Sequence, residues 1–371
     1  MKINFISLDI PYPPNYGGAI DIFYKIKAFS KLGCKTYLHC FYSDRVMAIE
    51  LEEYCERVYY YPRINNINTQ LFSKNPFLVE SRTSKKLIYN LNKNEYPIFF
   101  DGLQSTSISM HDDFINRGKY LRIHNIESEY LKRLAISENR ILKKGGLFLE
   151  SIKYKIFEKK LEQFNYIFSI SDNDRNFYNA FNKKIKTVLP FHGNNEIKSL
   201  NGKGKFVLFH GNFNVSENTN SAKFLINNIF NTLDIPLIIA GINASQKLSL
   251  NKNKNIKIIN NPDQSEMGLL IQTAQINILP TSQATGVKLK LINSLFNGRH
   301  CIVNSKMISP TPELEELCII CNSDNEFKNQ INTYMEIPFD SKMIEKRKLL
   351  LNTRLDDLKN AQIILDIIKN E

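Results

Sequence analysis

The chain has 371 residues, 43% of them apolar, and a formal net charge of +12 from 49 basic and 37 acidic side chains. That length suits two domains better than one, and no apolar run approaches the length needed to cross a bilayer. The basic balance suits nucleic acid, an anionic membrane surface or phosphorylated ligands; the lysines, however, are spread through the chain, and no low-complexity tail or short repeat concentrates them.

The first residues, MKINFISLDI, are too short and too charged for a signal peptide. They read as a strand, and a cytoplasmic protein is expected. The loop Asp9–Gly18 follows, then a helix through Ile22, Phe23, Ile26 and Phe29, then a strand over Thr36–Cys40. This is a βαβ unit, which predicts parallel strands and a right-handed crossover. Gly17 and Gly18 stand where the strand feeds the helix, where glycine lets backbone N–H groups approach a ligand. The pattern is not G-x-G-x-x-G, so a nicotinamide cofactor is not indicated. Further strands are expected at 57–61 and 97–100. Another, from Tyr120, carries His124, Asn125 and Glu127 at its carboxyl end, where open α/β sheets gather functional groups. Residues 147–164 read as a helix with a basic, exposed face, Lys153, Lys155, Lys159 and Lys160 interleaved with Glu150, Glu158 and Glu162; the mixed charges favour a solvated face with i,i+4 pairs over a membrane-binding helix. Asp172 and Asp174 have D-x-D spacing, but Ser171 ahead of a helical pattern makes them capping residues.

The pattern breaks between 182 and 205, and a second βα series begins at Phe206–His210. The expected organisation is an N-terminal domain over 1–190, a linker over 191–204, a second domain over 205–355, and a terminal helix over 356–371 packing back on the first. The six cysteines (Cys34, Cys40, Cys55, Cys301, Cys318 and Cys321) lie mostly in strand-like runs and read as reduced core residues. Cys318 and Cys321 have C-x-x-C spacing without a second pair or a histidine cluster, so a buried strand is preferred over metal or redox chemistry. In the second series, 277–304 reads strand, glycine turn, helix, glycine, strand. Lys288 and Lys290 fall in the first turn of that helix, unfavourable for its dipole unless an anion sits there. That predicts a phosphate site.

These motifs together resemble the GT-B glycosyltransferases, and within them glycosyltransferase family 4. The carriers are P-P-N-Y-G-G (Pro13–Gly18), H-N-I-E (His124–Glu127), S-I-S-D (Ser169–Asp172), F-H-G-N (Phe209–Asn212), I-A-G (Ile239–Gly241) and L-P-T…T-G-V-K-L-K-L-I-N…G-R-H-C-I-V-N. The resemblance covers nearly the whole chain. It implies an α/β fold of two doubly wound Rossmann-like domains facing each other across a cleft. It also implies retaining, metal-independent transfer of a sugar from a nucleotide-diphosphate sugar, with no cofactor. The N-terminal domain would hold a glycan or polyprenyl-linked acceptor, with peripheral contact at the inner face of the membrane, and the product would be a cell-surface polysaccharide.

Carried over by position, Gly17 and Gly18 would offer N–H groups to the donor diphosphate. His124 would lie near the transferred sugar, and Lys290, with Lys288, would neutralise the leaving diphosphate. The Asn261-Pro-Asp loop would meet the base. Gly211, Asn212 and Gly286 complete the donor set. The chain departs from the family at four places. Thr285 and Asn293 stand where the usual glutamate pair is expected, and Asn212 and Glu217 replace the usual Arg and Lys. Losing that arginine removes a fixed cation, which Lys288, Lys290 and Arg299 are candidates to replace. The competing readings are a two-domain protein that binds nucleic acid or a sugar ligand without chemistry, and another GT-B activity such as an epimerase or phosphorylase. No nucleic-acid recognition motif accompanies the charge.

Overall fold

The computed structural model describes residues 1–64, 73–138, 140–248, 254–284 and 286–371. The chain divides into two compact units, one comprising Met1–Gly193 with Asp357–Glu371, the other Asn194–Asp356. Both are parallel sheets with helices on each face.

In the first unit the strands are β1 (Lys2–Ser7), β2 (Lys35–Tyr42), β3 (Arg57–Pro62), β4 (Ile98–Asp101), β5 (Lys119–Ile123), β6 (Tyr166–Ser169) and β7 (Ile185–Thr187). Their order is β3-β2-β1-β4-β5-β6-β7. The apolar strand runs are explained by burial on both faces. Ile3 and Phe5 enter one core layer with Phe29 and Phe99, while Ile6 enters the other with Phe41, Phe100 and Leu121. Helix α1 (Gly17–Lys31) covers the first layer. Helices α2 (Glu127–Ser137), α3 (Ile141–Phe157) and α4 (Asp172–Tyr178) contribute Leu131, Tyr154, Phe157 and Tyr178 to the second.

The second unit has β8 (Val207–Asn212), β9 (Leu237–Ile242), β10 (Ile256–Asn260), β11 (Ile276–Leu279), β12 (His300–Val303) and β13 (Ile319–Ile320), in the order β10-β9-β8-β11-β12-β13. Its helices include α5 (Ser216–Phe224), α6 (Gln264–Thr273), α7 (Leu289–Asn297), α8 (Asp324–Glu336) and α9 (Ser341–Arg354). Capping boxes start α6 (Asp263 with Glu266) and α8 (Ser323 with Glu326). The chain then returns to the first unit as α10 (Asp357–Asn370), which buries Ala361, Ile364, Leu365 and Ile368 against the layer that contains α1.

Residues 191–204, expected as a linker, are tied down. The Phe191 N–H donates to Asp21 (2.8 Å) and the Gly193 N–H to Asp357 (2.8 Å) in the first unit. Lys198 donates its N–H to the Phe296 carbonyl, and Gly202 pairs with Phe339, in the second.

In both sheets the chain runs outward on one side and returns to the other side of its first strand. The switch points fall between β1 and β4 and between β8 and β11. The carboxyl ends of those strands are where an open α/β sheet leaves a crevice.

One helix departs in part from expectation, since Lys155 and Lys159 are exposed as expected but some other charges are not. Glu150, Lys153 and Glu158 are buried, whereas Phe148, Leu149, Ile152 and Ile156 are exposed. Buried partners explain it. Lys153 pairs with Glu150 (3.1 Å), which accepts the Phe77 N–H; Glu158 accepts from Ser128 and Tyr178. No described helix is long and apolar enough to cross a membrane.

Candidate functional site

In the first unit the switch point holds a buried charge cluster. Asp101 is the last residue of β4, and His124 directly follows β5. Asp21 and Lys25 project from α1 one turn apart, so both reach the same place. Lys25 Nζ lies 2.7 Å from Asp21 and 2.5 Å from Asp101. Arg122 reaches Asp21 (3.2 Å) and the Val188 and Leu189 carbonyls. The His124 ring sets Nε2 2.5 Å from Asp101, with Nδ1 3.9 Å from Asp21. That carboxylate fixes the ring's orientation, as a base-orienting carboxylate does elsewhere. Burial would raise both carboxyls, but Lys25 on both, with Arg122 and His124 on Asp21 and His124 on Asp101, holds them below the ordinary carboxylate range. The backbone after Asp101 turns through Gly102 at φ 87°, where a Cβ would strike Leu8.

Among the described residues, Asp21, Asp101 and His124 are the group whose ligand atoms could hold a metal ion, lying within 4.8 Å of one another. The Lys25 ammonium already bonds both carboxylates. It supplies the neutralising charge a cation would bring. Next to the cluster, burial pushes the Glu127 carboxyl up to about 7 and Asp174 to about 6. Asp174 is the D-x-D member whose N–H is capped by Ser171 (3.1 Å), and it hydrogen-bonds the Ser171 hydroxyl as well.

Gly17 and Gly18 are the first residues of α1, ahead of Asp21 on the same helix. Tyr16 caps the helix with backbone only, and no acidic residue occupies its first turn. Neither a Tyr16 side-chain cap nor an acidic first turn offsets the positive dipole end at the start of α1.

In the second unit the switch point gathers polar side chains from the ends of β8 and β11 and the starts of α5 and α7. Lys288 is the N-cap residue of α7 and Lys290 lies in its first turn, so the helix starts one residue later than the sequence pattern predicts. Lys290 Nζ is 2.9 Å from Asn218 Oδ1 and stands over the Phe209 ring; Lys288 Nζ is 3.3 Å from Glu217, which also accepts from Thr281. Burial pushes the half-buried Lys290 ammonium down to about 8, against the pull of Glu217 and helped by Lys288. Asn218 also donates to the Asn212 carbonyl (2.9 Å), and a Cβ at Gly211 would collide with the Asn218 amide. Gly286 takes φ 64° in the loop ahead of α7.

The structure thus brings Gly211, Asn212, Lys288 and Lys290 together through Glu217 and Asn218. Asn293 lies one turn beyond Lys290 and bonds Asn297 (2.7 Å). Asn261 follows β10, two strands from β8, with φ 51°, and accepts the Asn243 N–H (2.8 Å). Thr285 lies outside the described residues. Arg299 is not available as a phosphate ligand: it is buried, and its guanidinium donates to the carbonyls of Gln272, Thr273 and Ala274 at the end of α6. Sequence reasoning missed Asp21, Lys25, Asp101 and Arg122. The available signal was an Asp and a Lys four apart among Ile22, Phe23, Ile26 and Phe29, charges on an otherwise apolar face.

No family model matches the chain. It is 28% identical over 358 residues, 90% of each chain, to an uncharacterized 44.6 kDa protein in the cps region of Klebsiella pneumoniae. Among solved structures, it is similar to Anabaena HepE in complex with UDP and glucose (TM-score 0.69, 12% identity, all of both chains covered). It is also similar to a trehalose-6-phosphate synthase studied for enzymatic glycosyltransfer with retention (TM-score 0.65, 8% identity, 100% of this chain and 99% of that one). These likenesses define the fold: two Rossmann-like domains of the GT-B type.

Proposed function

We propose that this protein is a retaining, metal-independent glycosyltransferase that moves a sugar from a nucleotide-diphosphate sugar to a glycan or polyprenyl-linked acceptor in cell-surface polysaccharide synthesis, working in the cytoplasm or at the inner membrane face. The observation that carries this is the Lys288–Lys290 cluster at a sheet switch point in a GT-B fold. The Anabaena neighbour's complex with UDP and glucose, and the relative from a cps region, point the same way.

In this reading the second unit holds the donor. The anomeric C–O bond breaks as the diphosphate leaves, so the barrier falls with whatever stabilises the leaving anion. Lys290, half-buried, supplies that charge, and Lys288 joins once phosphate competes with Glu217. Asn293 and the Asn261 loop contact the nucleoside, and Gly211, Asn212, Thr285 and Gly286 line the phosphates. Gly17 and Gly18, at the start of α1, are offered as amide donors to a phosphate. The first unit holds the acceptor, and His124, oriented by Asp101, contacts the transferred sugar. Lys25 meets the need for positive charge beside Asp21 and Asp101, so turnover should survive EDTA.

The test is a panel of UDP-, GDP- and ADP-sugars read by nucleotide release, with thermal shift by the free diphosphates. One nucleotide should stabilise the protein and its sugar should turn over. If none of the three diphosphates shifts the melting temperature, the transferase reading fails.

A further inference from the structure

Among the described residues, the outward face of α3 has no partner. Ile141 and Leu142 are 85% and 92% exposed, and Phe148, Leu149, Ile152 and Ile156 are exposed with them. At 100° per residue these six fall within about a third of the helix circumference. Scattered apolar residues are ordinary on a surface; a contiguous stripe marks an interaction site. Lys144 and Lys155, both exposed, fall along one border of the stripe, and exposed Lys159 follows in the next turn. The one carboxylate of α3, Glu150, is turned inward against Lys153 and the Phe77 N–H. Glu138, just ahead of the helix, is held by Arg140 and Lys143. Outward, α3 offers apolar and cationic groups and no carboxylate.

We infer that α3 is a membrane-docking helix, which lies in the plane of an anionic phospholipid surface with Ile141, Leu142, Phe148, Leu149, Ile152 and Ile156 in the acyl boundary. Lys144, Lys155 and Lys159 then lie at the level of the headgroup phosphates. The charge pattern selects this occupant. An anionic surface attracts each lysine while the apolar stripe leaves water. A second copy packed antiparallel would set lysine border against lysine border, and in any packing the net charge of +12 adds repulsion. The placement also serves the proposed function, on which this part of the argument rests. Helix α2, packed against α3, starts three residues after His124. A lipid-linked acceptor held in the same bilayer would be presented to the unit that carries His124.

The experiment is flotation of the full-length protein with phosphatidylcholine vesicles, with and without a one-third fraction of phosphatidylglycerol, at low and high salt. No sugar nucleotide is present, so failure here is separable from failure of the transferase reading. Partitioning onto the anionic vesicles should exceed that onto neutral ones by more than about tenfold and fall with salt. Two double variants are compared: Ile141→Asn with Ile152→Asn, and Lys144→Glu with Lys155→Glu. All four side chains are exposed, so melting temperature and nucleotide binding should hold while vesicle binding drops at least about tenfold. The inference is overturned if the wild type binds neither vesicle, or if both variants bind as the wild type does. It is equally overturned if sedimentation shows a dimer that Ile141→Asn with Ile152→Asn dissociates, which would assign the stripe to a second copy.

Discussion

Lys25 holds two buried carboxylates, and its loss has a calculable consequence. Lys25→Met keeps the apolar stem of the side chain and removes the ammonium. Asp21 retains Arg122 and the Phe191 N–H, but Asp101 is left fully buried with His124 alone. Stranding one partner of a buried ion pair costs about 3–5 kcal/mol. The first unit has 208 residues, a size at which 1 kcal/mol moves the melting temperature by about 2–4 °C. The unfolding transition of that unit should therefore drop by roughly 6–20 °C at neutral pH. The pH dependence gives a second reading. In the wild type both carboxyls are held below the ordinary range. Their contribution is fully present above the unfolded carboxylate range and is lost as pH falls through the folded values. Without Lys25, burial dominates at Asp101 and raises its carboxyl. Protonation then relieves the stranded charge, and the deficit against wild type shrinks as the buffer is acidified toward about pH 4. Scanning calorimetry at neutral and acidic pH measures both. Lys25→Met with Asp101→Asn, which removes the stranded charge, should recover much of the loss. A neutral-pH change under about 2 °C, or a deficit that does not shrink on acidification, would refute the account of this cluster.

The remaining predictions concern the proposed site. Lys290→Ala should weaken nucleoside diphosphate binding by about 10- to 100-fold in calorimetry, the worth of one charge-assisted hydrogen bond. Unchanged affinity would remove Lys290 from the site. Because its ammonium titrates near 8, wild-type affinity should fall as pH rises through 8, whereas Lys290→Arg should stay flat over that range. His124→Ala should cut turnover by at least about tenfold with little change in nucleotide affinity; equal loss of both would place His124 in donor binding instead. Arg299→Ala should cost about 1.5–3 kcal/mol of stability by freeing three carbonyls at the end of α6. Its diphosphate affinity should not change; a large loss of affinity would restore it as a phosphate ligand.

Periodicity alone carried the fold a long way. The apolar runs at Ile3–Ile6, Val207–Phe209 and Ile276–Leu279 read as strands, and their alternation with helical patterns pointed to parallel sheets, whose strands the structure buries on both faces. The placement of Lys288 and Lys290 at a helix start was equally local, since it follows from a glycine turn and a few residues of helical spacing. What each charge does there was not local. Lys288 meets Glu217 and Lys290 meets Asn218 from 71 and 72 residues away, and Arg299 is spent on carbonyls of a neighbouring helix. The Asp21–Lys25–Asp101–His124 cluster joins α1 to the ends of two strands, β4 and β5, which only the order of strands in the sheet makes neighbours of β1 or of each other. Helix α3 shows the same limit. Its sequence offered a charged stripe and an apolar stripe, and helical spacing cannot say which is buried. Tertiary structure decided it: Glu150, Lys153 and Glu158 found ion-pair and hydrogen-bond partners inside, leaving Ile141, Leu142 and Ile152 facing out.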